Sequence, residues 1–323
     1  EQLKEVQHLC PSNSAFAAVS HGGKLACWGK LLDIAGTTRE DLRSDVQQLQ
    51  STDWAFAAVL SDGTVVAWGD PEYGGVLPYP HPQQVRRIES TNGAFAAIQS
   101  DGRVQSWGMS DCGGDCASVE KQLEDVERIV GNLGAFAAIR GDQSVITWGA
   151  RECGGDSRAV QDRLKDVKDI VGTDFSFAAV LRDGSVVTWR ENGLCFPGST
   201  TAPSLVQCTS ITASDGAYAV LLADGQVVTW GDPRFGSDSS AVQHQLQNVR
   251  RLCATRNAFA AIRADGSVVV WGDANDGGDC RKVNDQLHDV QLIAGSGSAF
   301  AAIRQDGILV TWGNPMAGGD STG

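Results

Sequence analysis

The side chains able to do chemistry in this chain are few and scattered. Its five histidines, His8, His21, His81, His244 and His288, fall in different sequence contexts. The one close thiol pair is Cys112-Gly-Gly-Asp-Cys116, and a tetrahedral metal would need further thiolate or imidazole ligands that this neighbourhood lacks. Gly-Gly-Asp recurs at Gly113–Asp115, Gly154–Asp156, Gly277–Asp279 and Gly318–Asp320. Each copy offers one carboxylate, far fewer oxygens than calcium gathers, so an Asp that caps the following turn is the simpler reading. Phosphate loops of the Gly-x-x-x-x-Gly-Lys-Ser/Thr type, Gly-x-Ser-x-Gly elbows and His-Glu-x-x-His pairs are missing. The sequence therefore assigns no catalytic, cofactor-binding or metal-binding residue, and the expectation is a protein that is not an enzyme.

Charge narrows the partners. Lys and Arg number 26 against 39 Asp and Glu, a formal charge of −13 in 323 residues. Such a surface repels phosphates, which excludes direct nucleic-acid binding and suits a basic protein partner. No stretch of apolar residues is long enough to span a membrane as a helix, so no insertion is expected. Glu1–Cys10 shows no leader and no initiating Met, which reads as a processed chain or part of a longer product. The nine cysteines are odd in number and share no common register. Cys112 and Cys153 are equivalent, as are Cys116 with Cys280 and Cys10 with Cys253, while the others stand alone. Reduced thiols and a reducing intracellular compartment follow from that pattern.

Any function must instead be carried by a repeated framework. Trp28, Trp68, Trp107, Trp148, Trp189, Trp230, Trp271 and Trp312 lie 39 to 41 residues apart. Twelve residues before each stands an aromatic: Phe16, Phe56, Phe95, Phe136, Phe177, Tyr218, Phe259 and Phe300. This is the mark of a tandem-repeat fold. In the fifth repeat Val167–Val171 alternates as a strand a, Phe177-Ala-Ala-Val180 forms strand b, and Arg182-Asp-Gly184 makes the hairpin turn. Ser185–Trp189, rich in β-branched residues, is strand c. Arg158-Ala-Val160 reads as a strand d, followed by one helical turn over Gln161–Lys165 with Val160 and Leu164 on a shared face. Small sheets of this period bury both faces only against their neighbours. The expected architecture is all-β: a single closed β-propeller over 1–323, built of eight four-stranded antiparallel blades with the eight repeat Trp residues in the core.

These Asp-Gly turns and Trp-Gly strand ends make the chain similar to repeats of the regulator of chromosome condensation family. The resemblance covers the whole chain. It implies a propeller, usually of seven blades, in a family that includes a nucleotide-exchange factor for a nuclear small GTPase, a plant ultraviolet photoreceptor, modules of giant ubiquitin ligases and a bacterial β-lactamase inhibitor. Fold alone transmits none of these roles. The departures are Trp189-Arg190 for Trp-Gly, Gly22 for the turn Asp, Gln143 for the turn Gly, and Ala-Phe where the family often has His-Thr.

Variation among repeats concentrates in loops, where function is usually carried. Two residues before the strand-b aromatic most repeats have Gly, Ser or Asn, but two have Trp54 and Phe175, preceded by Asp53 and Asp174. These are either local plugs or exposed anchors. In an eight-blade ring the second and fifth repeats stand three blades apart, within one partner's reach. Loops after strand c add Tyr73, Tyr79, Pro80 and His81 in one repeat, Leu194 and Phe196 in another, and Arg234 and Phe235 in a third. Leu31, Leu32 and Ile34 make an apolar loop after the first Trp. Aromatics and Arg are the usual interface anchors. If strand d exists, a–b and c–d loops open on one face, so the reading is a non-catalytic protein-interaction scaffold or assembly module bound through that face.

The resemblance suggests two rivals. A nucleotide-exchange role needs acidic loop residues, which Asp53 and Asp174 can supply, and in the family's founder a His, which no a–b loop here contains. The photoreceptor motif Gly-Trp-Arg-His-Thr is not matched by Thr52-Asp-Trp-Ala-Phe56, and one Trp outside the repeat positions is too few for an excitonic cluster. The thiol reading is directly testable. Titration of denatured, unreduced protein is expected to find nine reactive sulfhydryls, and seven or fewer would establish a disulfide.

Overall fold

The structure, a computed structural model, describes residues 6–20, 25–29, 46–190 and 208–320. Eight three-stranded antiparallel sheets account for its regular structure. The first four are β1(Val6–Pro11)-β2(Ala15–Ser20)-β3(Leu25–Gly29), β4(Val46–Ser51)-β5(Ala55–Leu60)-β6(Val65–Gly69), β7(Val85–Ser90)-β8(Ala94–Gln99)-β9(Val104–Gly108) and β10(Val126–Gly131)-β11(Ala135–Arg140)-β12(Val145–Gly149). The other four are β13(Val167–Thr173)-β14(Ser176–Leu181)-β15(Val186–Trp189), β16(Cys208–Ala213)-β17(Ala217–Leu222)-β18(Val227–Gly231), β19(Val249–Ala254)-β20(Ala258–Arg263)-β21(Val268–Gly272) and β22(Val290–Gly295)-β23(Ala299–Arg304)-β24(Leu309–Gly313). Two compact units result, the first comprising Glu1–Val167 with Arg190–Asn192 and the second Lys168–Trp189 with Gly193–Gly323. The first strands of successive sheets touch one another, β1 with β4, β4 with β7 and β7 with β10 in the first unit and β16 with β19 and β19 with β22 in the second, so these sheets converge on that edge. This is the all-β, repeated-blade architecture that the Trp spacing implies.

Each sheet starts from one tight hairpin. In the seven described hairpins the turn Asp accepts the N–H two residues on, as Asp62 Oδ1 does from Thr64 (2.8 Å) and Asp265 Oδ1 from Ser267 (3.0 Å). The turn sets the register, and the register places each strand-b aromatic directly opposite its Trp, as in Phe56↔Trp68 and Tyr218↔Trp230. All eight pairs stack, with ring centroids 5.1–5.6 Å apart. One face of every sheet thus carries a broad aromatic plate, and the other carries the small Ala residues of strand b.

The core is these two faces pressed together. Ala55, Ala57, Val59 and Val65 of one sheet meet Val85, Ile88, Phe95 and Trp107 of the next, and the same contact recurs between successive sheets of each unit. The first Gly of the intervening loop lies against the plate: a Cβ on Gly74, Gly113, Gly236 or Gly277 would come within 3.0 Å or less of the next sheet's Phe. Its carbonyl accepts the next Trp Nε1–H, as in Trp107 to Gly74 (2.9 Å) and Trp148 to Gly113 (3.0 Å). Burying such a side chain contributes about 3 kcal/mol, and the matched hydrogen bond avoids stranding the indole N–H.

Two expectations are corrected. The fourth strand does not form: among the described residues every sheet has three, and Arg158–Val160 lies in a 3-10 turn over Arg158–Arg163. The cause is local. Asp156 Oδ1 captures the Arg158 N–H, and Val160 and Leu164 donate back to Ser157 and Gln161, leaving few donors for a ladder. Leu123, Leu164, Leu246 and Leu287 then plug the core, each 4% exposed or less. The edge of strand c is covered by side chains instead, with Gln161 Nε2 on Val145 O and Gln243 Nε2 on Val227 O, both 2.9 Å. The second correction is Trp28, which is 43% exposed while its seven counterparts are buried.

Gln143 occupies the hairpin position that elsewhere holds Gly, with φ +64°. A left-handed non-Gly residue costs about 1–2 kcal/mol, partly offset here because Gly loses more backbone entropy on folding. Gln143→Gly is therefore expected to stabilise by up to about 1 kcal/mol, and Gln143→Val to destabilise by more than that, in urea unfolding.

Candidate functional site

The a–b loop and the loop after strand c, still called c–d although no strand d forms, share one end of the sheet, and in six repeats one side chain ties them together. Four residues before each strand-b aromatic the sequence has Ser12, Thr52, Thr91, Asn132, Thr173, Ser214, Thr255 or Ser296. Thr52 Oγ1 accepts the Ala55 N–H (3.0 Å), closing the a–b turn, and donates to Tyr73 O (3.0 Å) in the c–d loop. Thr91, Ser214, Thr255 and Ser296 do the same with Cys112, Phe235, Asp276 and Ala317. Asn132 reaches Cys153 O at 2.8 Å. The b–c hairpin meets the next strand a at the opposite end, through bonds such as Val85 N–H to Gly63 O (2.9 Å).

The next residue, three before the aromatic, forms a backbone chain from blade to blade. In the first unit Asn13 N–H donates to Asp53 O (3.2 Å), Asp53 to Asn92 (2.8 Å) and Asn92 to Leu133 (3.1 Å). In the second, Asp174 donates to Asp215 (2.9 Å), Asp215 to Arg256 (3.0 Å) and Arg256 to Gly297 (3.1 Å). Since the main chain makes these bonds, the side chains are free to differ. Asp53 and Asp174 are half-buried, and desolvation pushes both carboxyls up, with Arg256 moderating Asp174. Asp215 is pushed up to about 6, by desolvation first, then by Asp174, with Asp276 adding and Arg256 opposing. None of these three aspartates forms an ion pair among the described residues.

The aromatic candidates separate by environment. Trp54 and Phe175 are half-buried, each next in sequence to its raised-pKa Asp. Tyr73 packs against the core between its sheet and the next. Phe235 also packs inward, its ring occupying the space where a Cβ on Gly216 would lie. Tyr79 is 94% exposed, edge-on to His81, whose Nδ1 lies 2.9 Å from Pro78 O. Arg234 extends over the Phe235 ring (5.6 Å) and pairs with Asp232 at 2.6 Å. Leu194 and Phe196, with Leu31, Leu32 and Ile34, lie outside the described residues.

Asp215 and Arg256 escape a reading of the sequence that looks for large residues beside the aromatic. The signal that finds them is the column three before it, where Asp53, Asp174 and Asp215 align. The Gly-Gly-Asp carboxylates are turned to local work: Asp156 and Asp279, hydrogen-bonded to Arg158 and Arg281, are lowered to about 2. Cys112 and Cys116 pack against the core, and no disulfide joins any of the eight described cysteines. Among the described residues no group of three His, Cys, Asp or Glu converges as a metal would require.

A raised carboxyl pKa means that the folded state favours the protonated form. The contribution of Asp215 is therefore full below its ordinary value of 3.8 and lost as pH rises through about 6. Asp215→Asn is expected to melt above the parent protein at pH 7 and to match it near pH 4. Parallel melting curves across that range would remove Asp215 as the titrating group.

No family model matches the sequence, and no curated protein does. Among solved structures, the chain is similar to the Crinkly WD40 ectodomain of the Arabidopsis thaliana receptor kinase ACR4, at 13% identity over 83% of this chain and 95% of that one, with TM-score 0.48. It is similar to the computationally designed Ika8 protein, at 16% identity over 95% and 96%, TM-score 0.47. Prp20p of Saccharomyces cerevisiae, the yeast RCC1, is similar at 16% identity over 91% and 81%, TM-score 0.47.

Proposed function

We propose that this chain is a non-catalytic, RCC1-type β-propeller module that holds a protein partner on the end carrying the a–b and c–d loops. The observation behind this reading is a substitution pattern with a physical cost. Where sibling repeats keep a small residue, two repeats pair an aromatic with a half-desolvated aspartate, Asp53-Trp54 and Asp174-Phe175. Neither aspartate forms an ion pair among the described residues, and Arg256 only partly opposes the rise at Asp174, so a Lys- or Arg-bearing segment can supply further positive charge while its apolar parts cover the ring. Tyr79 adds an exposed ring to the loops of the first unit, and Arg234 an exposed guanidinium to those of the second. The net charge of −13 favours that partner over nucleic acid.

The test begins with partners cross-linked in the native source and identified, then measured individually. Trp54→Ala and Phe175→Ala are each expected to weaken affinity by about 2 kcal/mol, a roughly thirtyfold rise in Kd, with little change in melting temperature. A sharp fall in melting with unchanged affinity per folded molecule would make both rings packing residues. Stimulated nucleotide release from a small GTPase, lost on Asp53→Asn or Asp174→Asn, would favour an exchange factor instead.

A further inference from the structure

A groove of about 440 Å³ opens between the third and fourth sheets, and every residue lining it belongs to the first unit. Small-molecule sites occupy roughly 300–1,000 Å³. One wall is the segment around the 3-10 turn Glu120–Gln122, and the other is β12 with the loop that follows it. The floor is apolar: Val119 from one wall and Ile146 from the other both pack against the core that includes Trp148.

The rim is charged. Arg151 and Arg158 share one carboxylate, with Arg158 Nε 2.8 Å from Asp156 Oδ1 and Arg151 Nη2 3.8 Å from Asp156 Oδ2. Among the described residues neither guanidinium has a second acidic partner within ion-pair distance. Their side chains are 68% and 77% exposed, so N–H donors are left over on both. These three are the charged residues of the lining, and they leave a net positive charge in a chain of −13. Packing does not require it. Comparable loops have Ser110, Pro233, Ala274 and Pro315 in the place of Arg151, and Ala117, Ser240 and Arg281 in that of Arg158. Only the fourth repeat has both arginines.

We propose that this groove binds a small apolar carboxylate, its acid end held by Arg151 and Arg158 and its apolar body lying along Val119 and Ile146. An arginine fork matches a carboxylate with paired N–H donors, and two forks beside an apolar floor favour an anion over a neutral ligand. A cationic ligand would meet like charge. The site uses neither Asp53-Trp54 nor Asp174-Phe175, so it stands apart from the protein-binding reading above.

Titration calorimetry of the whole chain tests this, with naphthalene-2-carboxylate as the probe and naphthalene-2-methanol as its neutral counterpart. The carboxylate is expected to bind saturably, one per chain, and the alcohol about tenfold more weakly or worse. Arg151→Gln and Arg158→Gln are each expected to raise Kd about tenfold. Melting temperature should hardly move in either variant, since exposed ion pairs add little stability. No saturable binding, equal binding of the alcohol, or a Kd that neither substitution changes would each overturn the proposal. A peptide ending in Leu that binds where the probe does not would also overturn it, by making the occupant a protein segment.

Discussion

The contact on which the rest of this structure depends is the one between a loop glycine and the aromatic plate of the following sheet. A three-stranded sheet with Trp and Phe on one face and Ala on the other is not stable alone, since its plate would remain in water. Closing the plate against a neighbour requires the intervening loop to pass within van der Waals range of a Phe ring and to offer a carbonyl to an indole. Only Gly satisfies both the distance and the positive φ at Gly74, Gly113, Gly236 and Gly277. The second glycine meets a comparable limit, because a Cβ on Gly114 or Gly278 would lie 2.3–2.4 Å from the carbonyl ending strand c. The third residue, Asp, then starts the 3-10 turn that brings a Leu into the core. What looks in sequence like a possible calcium motif is thus a packing and capping device.

That device frees the loop end from structural duty. The Ser, Thr or Asn four before the aromatic closes each a–b turn with its own side chain, and the next residue joins neighbouring blades through its main chain. Side chains at that position and the one after it can then vary without loss of the fold. Leu133, Arg256 and Gly297 stand where other repeats have Asp or Asn. Half-burial without an ion pair is tolerated at Asp53, Asp174 and Asp215 because the backbone ties hold the turn regardless. A framework with this division of labour can change the side chains of its loop end blade by blade.

Most of the framework was legible because its constraints recur at fixed spacing. The Trp ruler, the aromatic twelve residues earlier and the Asp-Gly turn each answer to one geometric need repeated in every sheet. The supposed fourth strand misled because Arg158-Ala-Val160 alternates like a strand, while the decisive group is the Asp156 side chain two residues upstream, which diverts the backbone into a turn. The inter-blade ties were hidden for the opposite reason: bonds made by the main chain leave no residue signature. At the candidate site, Trp54 and Phe175 stood out by size, whereas Tyr73 and Phe235 looked equally like anchors and are packed inward. Residue type gives the capacity to bind, but only the neighbour decides whether it is spent on the core.

The same logic explains why identical residues differ in exposure along the chain. Phe16 and Trp28 belong to the same columns as Phe95 and Trp107 and stack in the same way, so nothing in their own repeat sets them apart. Their difference is exposure, 41% and 43% for Phe16 and Trp28 against at most 4% for Phe95 and Trp107. Ser176 and Tyr218 show the converse, a departure in one repeat matched in the next. Ser176 stands where every sibling has Ala, Tyr218 stands where every sibling has Phe, and their hydroxyls meet at 2.9 Å. Either hydroxyl alone would enter a dry interface, where an unmatched polar group costs about 1–3 kcal/mol; together with Thr173, 2.7 Å from Ser176, they satisfy one another. In a tandem-repeat protein the unit of selection for packing is therefore the junction between repeats, and a change in one blade is tolerated where the next blade answers it.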